Sequence, residues 1–237
     1  MTAAMADPRS RLFVALDTPD AASAEALIDT LGDSVGAYKI GLELMFGGGL
    51  DLAGRLARRG MPVFLDMKLL DIPNTVEKAT RNIAGLGLGY LTVHGTDRKT
   101  LDAAVSGRGS AALKLLAVTV LTSLDARDLA EQGIGGRSPT DLVVHRARLA
   151  KAAGFDGVIA SGQEAAAVRA EVGPGFLIVT PGIRLAEGAD GDQSRVMTPG
   201  KAIAAGASHL VVGRPITAAA QPRTAAETFI AAIAAAR

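Results

Sequence analysis

Residues 63–95 read VFLDMKLLDIPNTVEKATRNIAGLGLGYLTVHG, and this stretch decides the architecture. The apolar runs at 63–68 and 90–95 have the length and Val/Leu/Phe content of strands, and 74–86 between them has helical spacing. Strand, helix, strand in that order is a βαβ unit, which demands a parallel sheet. The same alternation continues in both directions along the chain. Apolar runs fall at 12–17 (LFVALD), 37–42 (AYKIGL), 63–68 (VFLDMK), 90–95 (YLTVHG), 115–122 (LLAVTVLT), 157–161 (GVIAS), 177–182 (LIVTPG) and 209–214 (HLVVGR). Each is continuously apolar rather than alternating, as expected of strands covered on both faces.

Eight such strands in 237 residues match a closed barrel, which typically takes roughly 250 residues. The expected fold is therefore a single-domain (β/α)8 TIM barrel covering residues 1–237, with 1–10 as a flexible N-terminus. Helices are expected after the strands, among them 20–31, 49–59, 74–86, 139–153 and 224–235. An open doubly wound α/β sheet would show the same alternation, but no G-x-G-x-x-G follows the first run. Two Gly- and charge-rich stretches, 131–137 and 184–198, are too irregular for either element. The second, between the seventh strand and the next helix, is the candidate lid.

Composition narrows the function. Lys+Arg 25 against Asp+Glu 24 leaves no excess of positive charge for a nucleic-acid backbone, and 3% aromatic residues are too few for a base-stacking platform. No run of about 18 apolar residues exists to cross a membrane, and the N-terminus lacks an apolar signal core. Without cysteine there is no disulfide framework and no thiolate nucleophile, and the three scattered His do not make a metal site. A reducing cytoplasm is the expected location.

In barrels of this kind catalytic groups come from strand C-terminal ends, so the polar residues there are the ones to question. They are Asp17, Lys39, Asp66, Lys68, Asp71, Thr92, His94, Thr122, Arg184 and Arg214. Any one of them alone is most often a solvated rim residue. As a group they differ: Asp17, Lys39, Asp66 and Lys68 end three consecutive strands, and alternating charges are one of the few ways to hold four ionised groups in a partly dry site. Asp66 and Lys68, two apart on one strand, point to the same face, and inward is the arrangement in which they neutralise each other. Lone His94 at a strand end is more often hydrogen-bonded packing than catalysis, and His145 and His209 are weaker candidates still.

The segment 66–75, DMKLLDIPNT, is similar to the D-x-K-x-x-D-I-P-N-T signature of the orotidine 5′-phosphate decarboxylase family. Further matching segments follow in the family's order: ALD ending at Asp17, YKIG with Lys39, TVH ending at His94, VTVLTS with Thr122, TPGIR ending at Arg184, DQSRVMTP with Gln193, and VVGRPI with Gly213 and Arg214. The resemblance covers nearly the whole chain. Gly95-Thr96-Asp97-Arg98 departs from the family's small-residue run after the histidine, which touches only the contacts of that loop.

The resemblance implies removal of CO2 from orotidine 5′-phosphate to give uridine 5′-phosphate, with no cofactor or metal. It implies Lys68 as proton donor, Asp66 facing the substrate carboxylate, and Asp71 and Thr75 reaching the partner's active site in a homodimer. The residues alone equally allow Asp71 as a helix cap before Pro73. Thr122 matches a position against the pyrimidine, although a Thr bonded to local backbone reads the same. Gly182, Gly213 and Arg214, after strands seven and eight, suit a phosphate dianion, which Arg can grip in two places; a surface arginine is the plainer alternative for Arg214. The resemblance also implies that Arg184 and Gln193 join the phosphate or pyrimidine when the lid closes. Two rivals remain: a metal-dependent sugar-phosphate enzyme of the related barrel group sharing D-x-K-x-x-D, and a non-catalytic barrel binding a phosphorylated ligand. I-P-N-T after Asp71 and a lysine at position 39 speak against the first, and the intact set of four charges against the second.

Overall fold

A computed structural model describes residues 7–185 and 196–236. Eight parallel strands close into one barrel in sequence order, β1 to β8, with β8 pairing back onto β1. They are β1 Leu12–Ala15, β2 Tyr38–Ile40, β3 Val63–Leu69, β4 Tyr90–His94, β5 Lys114–Val118, β6 Gly157–Ile159, β7 Leu177–Thr180 and β8 His209–Val212. The outer layer is α1 Ala21–Leu31, the short turn α2 Leu42–Leu44, α3 Leu50–Arg58, α4 Pro73–Ala84, α5 Arg98–Arg108, α6 Ala126–Glu131, α7 Pro139–Ala153, α8 Ala165–Val172, α9 Pro199–Ala204, α10 Arg214–Thr217 and α11 Pro222–Ala235.

The expected barrel is present, and the five expected helices form within two residues of their expected bounds at each end. Local chemistry explains many of the helix starts. Asp20, Asp97, Asp125, Ser138 and Thr198 each accept a backbone N–H of the first turn of the helix that follows, satisfying a donor that has no partner within the helix. Where the chain differs from expectation is at strand ends: seven of the eight expected runs outlast the sheet by one to four residues. Those extra residues leave the ladder and form the barrel's C-terminal rim. The run expected at 115–122, for example, pairs only as Lys114–Val118.

Alternation along each strand sorts side chains between two apolar layers. Leu12 and Val14, Tyr38 and Ile40, and Val63 and Leu65 face the helices, while Phe13, Ala37 and Phe64 fill the barrel with Leu116, Val118, Ile159 and Val179. Phe13 packs edge-on against Phe64 at 5.2 Å and Tyr90 at 5.0 Å, and stacks on His209 at 5.4 Å, which closes the barrel floor. Two positions further along, the same inward parity that buries Ala37 and Phe64 presents Lys39 and Asp66 above that apolar floor.

His209 adds a pH dependence. Burial, reinforced by the Lys114 and Arg11 charges, pushes its imidazole down to about 4, so the folded protein keeps it neutral. An unfolded histidine takes a proton near pH 6.5, so stability falls as pH drops from about 6.5 to about 4, by about 3 kcal/mol in all. His209→Phe is expected to lose about 2–3 kcal/mol less than wild type between pH 7 and 4.5, read from urea unfolding midpoints at the two pH values.

Candidate active site

A cavity of about 390 Å³ opens at the C-terminal end of the barrel. Asp17, Lys39, Asp66 and Lys68 line it on the β1–β3 side, Val118 at the end of β5 with Val120, Leu121, Thr122 and Ser123 beyond it, and Pro181, Gly182, Arg184, Gly213 and Arg214 on the β7–β8 side. Of the fourteen side chains and glycines singled out from the sequence, nine meet here. Asp71 and Thr75 do not: both are exposed and line no part of this chain's cavity. Nor is Asp71 a helix cap, because its carboxylate accepts the N–H of Ile72 and α4 begins at Pro73 without a side-chain cap. Gln193 and most of the candidate lid lie outside the described residues. The two stems of that segment are joined, with Arg184 N–H donating to Met197 O at 3.1 Å and Met197 N–H to Gly182 O at 3.2 Å.

The four charges form the expected alternating row. Lys39 Nζ lies 2.9 Å from Asp17 Oδ1 and 3.7 Å from Asp66 Oδ2, and Lys68 Nζ lies 2.8 Å from that same Asp66 oxygen. Lys39 is buried, Asp66 nearly so, and Asp17 and Lys68 reach further into the opening. Burial alone would push the Asp66 carboxyl up. The Lys39 and Lys68 ammoniums, with hydrogen bonds from Lys68 and Thr92, outweigh burial and hold it below the usual carboxylate range. Asp66 is thus a buried anion kept ionised by two cations.

Asp66 and Lys68 converge for a reason the sequence does not announce. Leu65 pairs with Leu91 and Leu69 with Val93, so Asp66, Met67 and Lys68 on β3 stand opposite Thr92 alone on β4. The strand bulges there, and Lys68 takes φ 49°, the one non-glycine residue with a positive φ among the described residues. That left-handed backbone costs on the order of 1–3 kcal/mol and is found where surrounding structure over-determines it.

Gly41 matters for a related reason. A Cβ there would stand 2.8 Å from Lys39 Nζ and 3.4 Å from Asp17 Oδ1, whereas its own backbone is extended and suits any residue. Gly41→Ala is expected to leave the thermal midpoint within a few degrees of wild type and to lower kcat at least about tenfold by displacing the Lys39 ammonium, a split read from melting curves beside steady-state rates.

His94 ends β4 half-buried and outside the cavity lining. Burial and the Lys68 and Arg146 charges push its imidazole below the ordinary range, so the imidazolium form is disfavoured. Two contributors were not singled out beforehand, Gly41 beside the charged row and Ser123 on the cavity wall, and Thr92, questioned only as one of the strand-end residues, lies beneath the row.

Comparison with known proteins establishes the family and the fold. The model of the "Orotidine 5'-phosphate decarboxylase / HUMPS family" matches residues 10–229. A relative from Methylorubrum populi named orotidine 5′-phosphate decarboxylase is 56% identical over 226 residues, 95% of this chain and 96% of its own. One of the same name from Rhodopseudomonas palustris is 56% identical over 231 residues, 97% of this chain and 96% of its own. The crystal structure of orotidine 5′-phosphate decarboxylase from Lactobacillus acidophilus superposes with a TM-score of 0.81 at 36% identity, covering 94% of this chain and 98% of that one. With its barrel and nearly its whole length matched, this chain belongs to the orotidine 5′-phosphate decarboxylase / HUMPS family.

Proposed function

We propose that this chain decarboxylates orotidine 5′-phosphate to uridine 5′-phosphate and CO2, the last step of de novo pyrimidine synthesis, without a cofactor. The observation that carries this is the Asp17–Lys39–Asp66–Lys68 row set into one wall of the cavity. Loss of CO2 breaks the bond at ring C6 and leaves the electron pair there, where no adjacent π system spreads it. Catalysis of that step requires a fixed cation and a proton at one atom. The Lys68 ammonium supplies both: it attracts the developing charge and passes its proton to C6, then regains one from water. Asp66, ionised and facing the substrate carboxylate, repels it in the ground state, and that repulsion ends as CO2 departs.

The β7–β8 side of the cavity takes the phosphate. Arg214 grips its oxygens in the bidentate manner open to a guanidinium, Gly182 and Gly213 let the backbone come close, and Arg184 adds a second positive charge. Thr122 faces the pyrimidine, and Gln193, outside the described residues, is assigned to the ligand by the family resemblance alone. Binding energy from the unreactive phosphate then positions the ring against Lys68.

Asp71 and Thr75 serve the partner's cavity in a homodimer. Leu42, Phe46 and Leu50 after β2 and Leu70 and Ile72 after β3 are exposed, Phe46 at 88%, so the segments that follow two adjacent strands both present apolar side chains at the surface, the second on either side of Asp71 in the chain. Apolar surface of that kind, flanking polar groups, suits an isologous contact. A cysteine-free enzyme of nucleotide synthesis fits the cytoplasm, and among the described residues no helix is long and apolar enough to cross a membrane.

The metal-dependent sugar-phosphate reaction fits less well, because a divalent cation between Asp17 and Asp66 would have to displace the Lys39 ammonium. Purified protein in excess chelator is expected to bleach orotidine 5′-phosphate absorbance with one CO2 released per uridine 5′-phosphate formed. Well-folded protein that leaves this substrate untouched, yet turns over a β-keto sugar phosphate once Mg²⁺ is added, would overturn the proposal.

A further inference from the structure

Thr92 lies on β4 with no exposed surface, beneath the cavity rather than in its lining. Its hydroxyl accepts the Lys68 backbone N–H at 2.9 Å and meets Asp66 Oδ1 at 2.9 Å. The direction of the second bond follows from charge: ionised Asp66 can only accept, so the single hydroxyl proton goes to it and the lone pairs remain for the Lys68 amide. Asp66 is thereby divided, Oδ1 held by Thr92 and Oδ2 by the two lysines.

This hydroxyl stands where the β3–β4 ladder is interrupted, the one residue opposite three. A backbone N–H left without a partner at such depth is costly, and a left-handed lysine persists only if something fixes it. Thr92 does both with one atom. It gives the Lys68 amide the acceptor that the bulge removes, and it ties that amide to the carboxylate whose other oxygen holds the Lys68 ammonium. Backbone and side chain of the same lysine are therefore referenced to one buried oxygen.

We infer that Thr92 is a positioning residue for the decarboxylation, setting the Lys68 backbone and the Asp66 carboxylate relative to each other without touching substrate. As a role in that reaction it rests on the function proposed above; as a structural device it does not, and the test separates the two. Thr92→Val keeps the shape and removes the hydroxyl, whereas Thr92→Ser keeps the hydroxyl.

In Thr92→Val, kcat is expected to fall about 10- to 100-fold with KM, and Kd for uridine 5′-phosphate, within about threefold of wild type. The acid limb of its pH profile moves to higher pH, since the ionised form of Asp66 loses a donor. Amide hydrogen exchange at Lys68 quickens at least about tenfold while Val63–Leu65 stay as protected as in wild type. Thr92→Ser restores all three readouts.

Unchanged Lys68 exchange in Thr92→Val overturns the device itself, whatever the substrate. Unchanged kcat with quickened exchange, or loss shared equally by Thr92→Ser, overturns the positioning role. If wild type fails to turn over orotidine 5′-phosphate, the decarboxylase assignment falls and with it the stated role, while the exchange result still decides the device.

Discussion

Lys68→Ala is expected to lower kcat at least about 10⁴-fold while binding uridine 5′-phosphate within about threefold of wild type, because the lost side chain combines proton donation and electrostatic stabilisation, each worth orders of magnitude. On the function proposed above, binding survives because the phosphate is held on the β7–β8 side, which Gly182, Arg184, Gly213 and Arg214 line, away from Lys68. Folding survives as well. The Lys68 side chain is 31% exposed and its removal leaves Asp66 still paired with Lys39 and Thr92. Steady-state rates, product affinity by calorimetry and a thermal midpoint together check this, and a fall in kcat matched by an equal fall in product affinity would point to lost binding instead.

The second large effect is a recovery. Asp71→Ala alone is expected to lower kcat at least about 100-fold, since in the proposed homodimer the charged row would lose a carboxylate supplied by the partner chain. Mixed with Lys68→Ala, itself inactive, it should regain about a quarter of wild-type activity. Random exchange makes half of the dimers mixed, and each mixed dimer has one site with both Lys68 and the opposing Asp71 intact. Exposed Asp71 beside Leu70 and Ile72 is the observation behind this expectation. Activity that stays at the level of the separate variants after subunit exchange, confirmed by mass spectrometry of mixed dimers, would place Asp71 outside the site.

Much of this was legible in the sequence, and what was not has identifiable causes. The barrel could be read because strands covered on both faces are continuously apolar, as in LFVA at 12–15 and LIVT at 177–180. Strand ends could not, because residues that leave the ladder to wall the cavity, such as Val120 and Leu121, are as apolar as those that stay in it. Asp17, Lys39, Asp66 and Lys68 could be grouped because inward parity on consecutive strands brings them to one place. The bulge at Lys68 was hidden, since VFLDMKL contains no glycine to mark a left-handed backbone. The role of Thr92, which stood in the sequence only as one polar strand-end residue among ten, was therefore hidden too: it becomes significant only once three residues of β3 are seen to face it. For Asp71 and Thr75 the family resemblance spoke where geometry within one chain could not, because neither residue lines that chain's own cavity.

Hydrogen exchange at the C6 position of the product tests the central claim most directly, since it isolates proton transfer between Lys68 and C6 from the departure of CO2. By microscopic reversibility the group that protonates the carbanion also removes the C6 proton. Wild type and Lys68→Ala would be held in D2O with 5-fluorouridine 5′-phosphate, whose fluorine favours the C6 carbanion, and the C6 proton followed by NMR. The account expects loss of the C6 signal with wild type and none above the protein-free control with Lys68→Ala. Exchange at the wild-type rate in the variant would contradict it and assign the proton to another group.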